Sequence, residues 1–87
     1  MVEPQSKHIL KTEKITLDAR NLLCPMPVIR VQDAVSNLAT GTQIEAICSD
    51  PGVLHDIPAW ARVHGHTFIS SYEKDDHYIV CIEVNHS

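Results

Sequence analysis

The chain has 87 residues, a formal net charge of −4 and only seven Lys and Arg. A chain of this length makes one small domain that buries only about 60% of its unfolded surface, so its core must be economical. The scarcity of cations excludes a basic stripe of the kind that neutralises phosphates. No apolar run approaches the roughly 20 residues that span a bilayer, so neither nucleic acid nor membrane is an expected partner.

Three cysteines, Cys24, Cys48 and Cys81, are an odd number without CxxC spacing, which argues against a disulfide framework or a zinc ribbon. The opening "MVEPQSKHILKTEK" lacks the apolar h-region of a signal peptide, so the expected location is the cytoplasm, with free thiols. Residues 1–12 are polar, contain Pro4 and show no period. They read as a flexible tail ahead of a single domain over 13–87.

In "KITLDA", Ile15 and Leu17 alternate with polar residues and predict a first strand ending near Asp18. After "ARNLLCP", the intervals between Val28, Val31, Val35 and Leu38 predict an amphipathic helix from about Pro25 to Ala39, with Gly41 as its left-handed cap. "TQIEAICS" alternates Ile44, Ala46 and Cys48 against Gln43 and Glu45, a second strand; strand, helix and strand of this length imply a parallel pair. In "SDPGV", Asp50 can cap a helix and Pro51 suits its first position. Because a proline inside a helix costs about 3 kcal/mol, Pro58 predicts a break near His55, with Asp56 re-capping a helix that Gly65 ends. "TFISSYE", a polar "KDDH" turn and "YIVCIEV" read as a β-hairpin. The order βαβαββ predicts an α/β (α+β) two-layer sandwich in which two helices lie on one face of a four-stranded mixed sheet.

The stretch that carries chemistry is "LLCPMPV", Leu22 to Val28. Pro25 at the first helical position places Cys24 at or beside the N-cap, where the positive end of the helix dipole favours thiolate over thiol. Pro27 stiffens the junction, Met26 and Val28 retain N–H groups, and Leu22 and Leu23 are positioned to anchor the loop. Free cysteines are also among the most buried residues, and proline is common at helix starts, so these residues leave both a presented nucleophile and a buried filler standing.

The strings "LDARNLLCPMPVIRV" and "SDPGVLHDIPAW", with "GH" before the last hairpin, closely resemble the TusA-like (SirA-like) sulfur-carrier family. Its pattern is Leu-Asp-x-x-Gly-x-x-Cys-Pro-x-Pro followed by Asp-Pro and an Asp-Ile-Pro segment. The resemblance covers about positions 15 to 84 and implies a two-layer sandwich whose motif cysteine carries a persulfide. Cys24 matches that cysteine, Pro25 and Pro27 its prolines, Asp18 the aspartate before it, and Asp50 and Pro51 the later pair. Asn21 stands where the family pattern usually has glycine; asparagine tolerates left-handed backbone angles.

The resemblance implies a sulfurtransferase-type carrier. A cysteine desulfurase or rhodanese-type protein would be the donor, and a relay protein, foremost in tRNA 2-thiouridine synthesis, the acceptor. Oxidative sulfur metabolism and molybdenum-cofactor supply are alternative pathways, and a redox-sensing interaction module is an alternative class. Arg20 and Arg30 flank Cys24 and are candidates for electrostatic support or partner contact. Cys48 and Cys81 fall inside strands and read as small hydrophobes, and Trp60 belongs to a helical stripe. The six histidines match no established zinc spacing, so no metal and no cofactor is expected.

Overall fold

The computed structural model describes residues 13–23 and 25–86. The expected tail at 1–12 and Cys24 lie outside the described residues. The elements are β1 (Lys14–Ala19), α1 (Met26–Val35), β2 (Gln43–Cys48), α2 (Val53–Val63), β3 (Thr67–Lys74) and β4 (His77–Glu83). They form one four-stranded sheet in the order β1-β2-β4-β3. β1 and β2 are parallel, Ala19 standing opposite Cys48, and β4 is antiparallel to both β2 and β3. The expected mixed sheet and element order are therefore observed.

Strand alternation decides which face is covered. Ile15, Leu17 and Ala19 of β1, Ile44, Ala46 and Cys48 of β2, and Tyr78, Val80 and Ile82 of β4 turn to one side. There they meet Val31 and Val35 of α1 and Val53, Ile57 and Ala61 of α2, so both helices lie on that face. Ile44, Val31 and Val80 have no exposed surface, and burying each such side chain contributes about 1.5–3 kcal/mol.

The opposite face carries no helix among the described residues, yet Ile79 and Cys81 of β4 are buried on it. A bridge from the flanking strands accounts for this. Tyr72 of β3 stands beside Ile79, Glu45 of β2 stands beside Cys81, and the Tyr72 hydroxyl donates to Glu45 Oε2 at 3.0 Å across β4. That hydrogen bond holds the Tyr72 hydroxyl above its usual pKa range.

Both helices depart from the sequence expectations. α1 stops at Val35 rather than Ala39, because the Ser36 hydroxyl and the Asn37 side-chain amide both donate to the Asp33 carbonyl. This competition replaces the α-ladder with tighter turns, Asn37 N–H to Ala34 O and Leu38 N–H to Val35 O. Gly41 consequently does not cap α1; at φ +98 it shapes the turn before β2 and donates its N–H to Val84 O at 2.9 Å.

α2 begins at Val53, later than Asp50-Pro51 suggested, and runs through Pro58 without a break. Pro58 has no N–H for the Leu54 carbonyl, but its ring is buried in the stripe with Val53, Ile57 and Ala61, and that apolar burial offsets the lost bond. Asp56 therefore lies in the first turn of one continuous helix rather than at the start of a second. The other end is as expected: Gly65 at φ +82 donates to Arg62 O while His66 N–H reaches Ala61 O at 2.8 Å, a Schellman closure. In the hairpin, Asp75 and Asp76 both have positive φ, as a two-residue type I′ connection requires.

Candidate functional site

The candidate site is the loop from β1 to α1, where the parallel strands end. Asp18 starts it by folding back on its own chain. Its Oδ1 accepts the Arg20 backbone N–H at 3.1 Å and Arg20 Nε–H at 2.8 Å, while Oδ2 accepts from Arg20 Nη2 at 2.9 Å. The two-pronged side-chain bond, with the backbone bond and the positive charges of Arg20 and Arg30 behind it, holds the Asp18 carboxyl well below the usual carboxylate range. Arg20 is thus committed to Asp18, and Arg30 is exposed on α1, close enough to act on the same carboxylate. Of the four charged residues named from the sequence, Asp18 and Arg20 are paired directly, and Arg30 acts on Asp18 through its charge alone.

Asn21 follows at φ +62, the left-handed region for which the family pattern uses glycine. Its N–H donates to Ser49 Oγ at 3.0 Å, which ties the loop to the segment leaving β2. Leu22 is half-buried against the core, whereas Leu23 is 80% exposed, so only the first of the two leucines anchors the loop. Residue 23 is pushed outward by a tight turn in which Met26 N–H donates to Leu23 O at 2.7 Å.

The helix start sits one position later than expected. Pro25, at φ −99 and ψ 19, is the N-cap, and its carbonyl accepts the first helical bond from Ile29 N–H at 3.2 Å. Met26 and Pro27 take the first two helical positions, and Pro27 is buried. The Met26 N–H is spent on Leu23, and neither proline has one, so those three residues offer no amide to a neighbouring anion. Their effect on charge comes from the dipole instead. No acidic side chain occupies the first turn of α1, so its positive end is not neutralised from within the helix.

Cys24 itself lies outside the described residues. What surrounds its position in the chain is described, and it is apolar and exposed: Leu23 before it, Met26 (46% exposed) after it, and Ile29 (40% exposed) one turn further along α1. Exposed apolar side chains clustered at a helix start suit contact with another protein. The sequence marked Leu23 as a loop anchor and Met26 as an N–H donor; that both side chains are exposed emerges only from the structure.

Asp50 and Pro51 take part from the neighbouring loop. Asp50 Oδ1 accepts the Gly52 N–H at 2.9 Å and its carbonyl accepts from Val53, which sets the start of α2, and Pro51 is exposed within that turn. Ser49, between the end of β2 and Asp50, was missed by the sequence reading. The available signal was a hydroxyl residue directly after a parallel strand, at the edge where open α/β sheets place their sites.

The other thiols are placed differently. Cys48 is fully buried on the helix face, and burial, with the charges of Asp50 and Asp18, pushes its thiol up to about 11. It remains protonated and unreactive at neutral pH. Cys81 is buried beneath the Tyr72–Glu45 bridge. No group of three or more His, Cys, Asp or Glu side chains suited to a metal ion occurs among the described residues, and no helix among them is long and apolar enough to cross a membrane.

Comparisons with known proteins span this loop together with most of the chain. A sequence profile described as "Sulfurtransferase TusA" matches residues 15–84. A putative sulfur carrier protein, YrkI, from Bacillus subtilis (strain 168) is 34% identical over 77% of this chain and 88% of its own. The sulfur carrier protein TusA of Pseudomonas putida (strain W619) is 35% identical over 82% of this chain and 89% of its own. The crystal structure of a SirA-like protein from Desulfitobacterium hafniense matches with a TM-score of 0.72 and 26% identity, covering 82% of this chain and 97% of that one.

Proposed function

The chain belongs to the TusA family of sulfurtransferases, and we propose from that premise that Cys24 is its sulfur-carrying residue. In the first half-reaction the Cys24 thiolate attacks the terminal sulfur of a donor persulfide. A new S–S bond forms to Cys24, the donor's S–S bond breaks, and its electron pair leaves with the donor thiolate. The proton stays on the transferred sulfur, which is now Cys24-S-SH. In the second half-reaction an acceptor thiolate removes that sulfur in the same way and Cys24 leaves as thiolate.

The observation that carries this reading is the exposure of Leu23, Met26 and Ile29, which precede and follow Cys24 in the chain, at a proline-bounded helix start with no acidic residue in its first turn. Such chemistry needs a thiolate and an unobstructed approach by two partners in turn, and it needs no general-base triad. The donor is a cysteine desulfurase or a rhodanese-type protein carrying its own persulfide. The acceptor is a relay protein that leads to 2-thiouridine in tRNA, and the protein works in the cytoplasm.

Incubation with a cysteine desulfurase and cysteine, followed by intact-mass measurement, tests the reading. A gain of about 32 Da that disappears in Cys24→Ser is the expected result. No gain, a gain that survives Cys24→Ser, or oxidation of Cys24 to sulfenic acid without sulfur uptake overturns it. Loss of 2-thiouridine from the tRNA of cells lacking the protein tests the pathway.

A further inference from the structure

We infer that Ser49 is a positioning residue for sulfur transfer, holding the loop that leads to Cys24 from outside that loop; the inference rests on the carrier reading above. Successive backbone N–H groups at the start of the loop are captured by side-chain oxygens. Arg20 N–H goes to Asp18 Oδ1, within the same segment, and Asn21 N–H goes to Ser49 Oγ, which lies 28 residues away in the chain. The second bond is therefore the one that fixes the loop relative to the sheet.

Ser49 is suited to be a fixed point. The residue before it, Cys48, is fully buried at the end of β2, and the residue after it, Asp50, is locked by accepting the Gly52 N–H at 2.9 Å. An oxygen held on both sides by rigid backbone can impose direction on a partner that has little rigidity of its own. Asn21 is such a partner. A non-glycine residue at φ +62 pays a steric cost, which a hydrogen bond to its N–H offsets. From Asn21 the chain has only Leu22, half-buried in the core, before it turns outward at Leu23. The direction set at Asn21 consequently reaches the thiol-bearing residue three positions on.

The test compares Ser49→Ala with Ser49→Thr, which keeps the hydroxyl, and with Ser36→Ala. The last variant removes a hydroxyl bond of similar exposure, Ser36 Oγ–H to Asp33 O at 2.7 Å, at the other end of α1. Two rates are measured: single-turnover sulfur loading from a persulfidated desulfurase, and alkylation of Cys24 by iodoacetamide at pH 7. Misplacement of a reacting group slows the step itself, so Ser49→Ala is expected to lower the maximal loading rate about five-fold, with half-saturation unchanged. Its alkylation slows about two-fold as the loop leading to Cys24 loses its tie to the segment after β2. Ser49→Thr restores both rates and Ser36→Ala changes neither.

Wild-type rates in Ser49→Ala, equal slowing in Ser36→Ala, or failure of Ser49→Thr to restore the rates overturns the inference. If wild type takes up no sulfur, the carrier reading fails, and the alkylation series alone then decides the role of Ser49.

Discussion

At the end of the sheet where β1 and β2 stop, the backbone is held by side chains: Asp18 on Arg20, Ser49 on Asn21, Asp50 on Gly52. Leu23, Met26 and Ile29 stand exposed beside them. At the opposite end the chain is zipped to itself. Gly41 N–H and Val84 N–H are exchanged for Val84 O and Thr42 O, Asn85 N–H reaches His66 Nδ1 at 2.9 Å, and His86 N–H reaches Thr40 Oγ1 at 3.0 Å. Trp60 is stacked near His66, with ring centroids 5.2 Å apart. The comparison shows how 87 residues divide their work. One end contributes closure and stability, which frees the other to expose apolar side chains that precede and follow Cys24 in the chain, at some cost in stability.

The largest effect should come from the core both ends share. Ile44→Ala removes a fully buried side chain from the centre of the sheet and is expected to cost about 2–5 kcal/mol by urea denaturation, enough to leave a small domain marginal. Loss of both loading and fold is the predicted outcome; an unchanged urea midpoint would show that the core is not where the structure puts it.

Leu23→Asp separates the ends. With its side chain mostly exposed, stability should stay within about 0.5 kcal/mol, while loading from a protein donor falls about ten-fold, the size of a modest interface anchor. Equal loading by Leu23→Asp and wild type would break the assignment of the docking face.

Gly65→Ala perturbs the closed end instead. A Cβ at this position meets no atom within 4 Å, so the cost is the left-handed backbone alone, about 1 kcal/mol, with sulfur loading intact.

The smallest effect is a pH response confined to the closed end. His66 Nδ1 accepts a backbone N–H, so the ring must be unprotonated there. Burial, followed by the neighbouring His86 and His64, lowers its pKa below the unfolded value of 6.5. A depressed histidine contributes stability that is complete above the unfolded value and is lost as pH falls through the folded one. Unfolding midpoints should therefore drop on acidification below about pH 6.5, less so in His66→Gln. Because Trp60 is the single tryptophan, its fluorescence reports the same step.

Much of this was legible in the sequence, for physical reasons that differ by element. β1 and β2 were readable because alternation is local: Ile44, Ala46 and Cys48 fall on one face whatever the rest of the chain does. Gly65 was readable because a left-handed helix end favours one residue type. The continuity of α2 through Pro58 was not, since local cost argued for a break and tertiary burial of that same ring outweighed it. Ser36 and Asn37 carried a signal for ending α1 that the apolar spacing of Val35 and Leu38 masked. At the site, Cys24, its prolines and Asp18 were visible as a motif. The Asn21–Ser49 bond and the Tyr72–Glu45 bridge join residues 28 and 27 apart, which no local pattern encodes.

The most direct measurement is where the sulfur goes when three thiols compete in one molecule. After loading by a persulfidated donor, proteolysis and peptide mass mapping should place the gain of about 32 Da on the Cys24 peptide alone, because Cys48 and Cys81 are buried and the Cys48 thiol is held protonated. Sulfur on the Cys48 or Cys81 peptide, or spread among all three, would contradict the account.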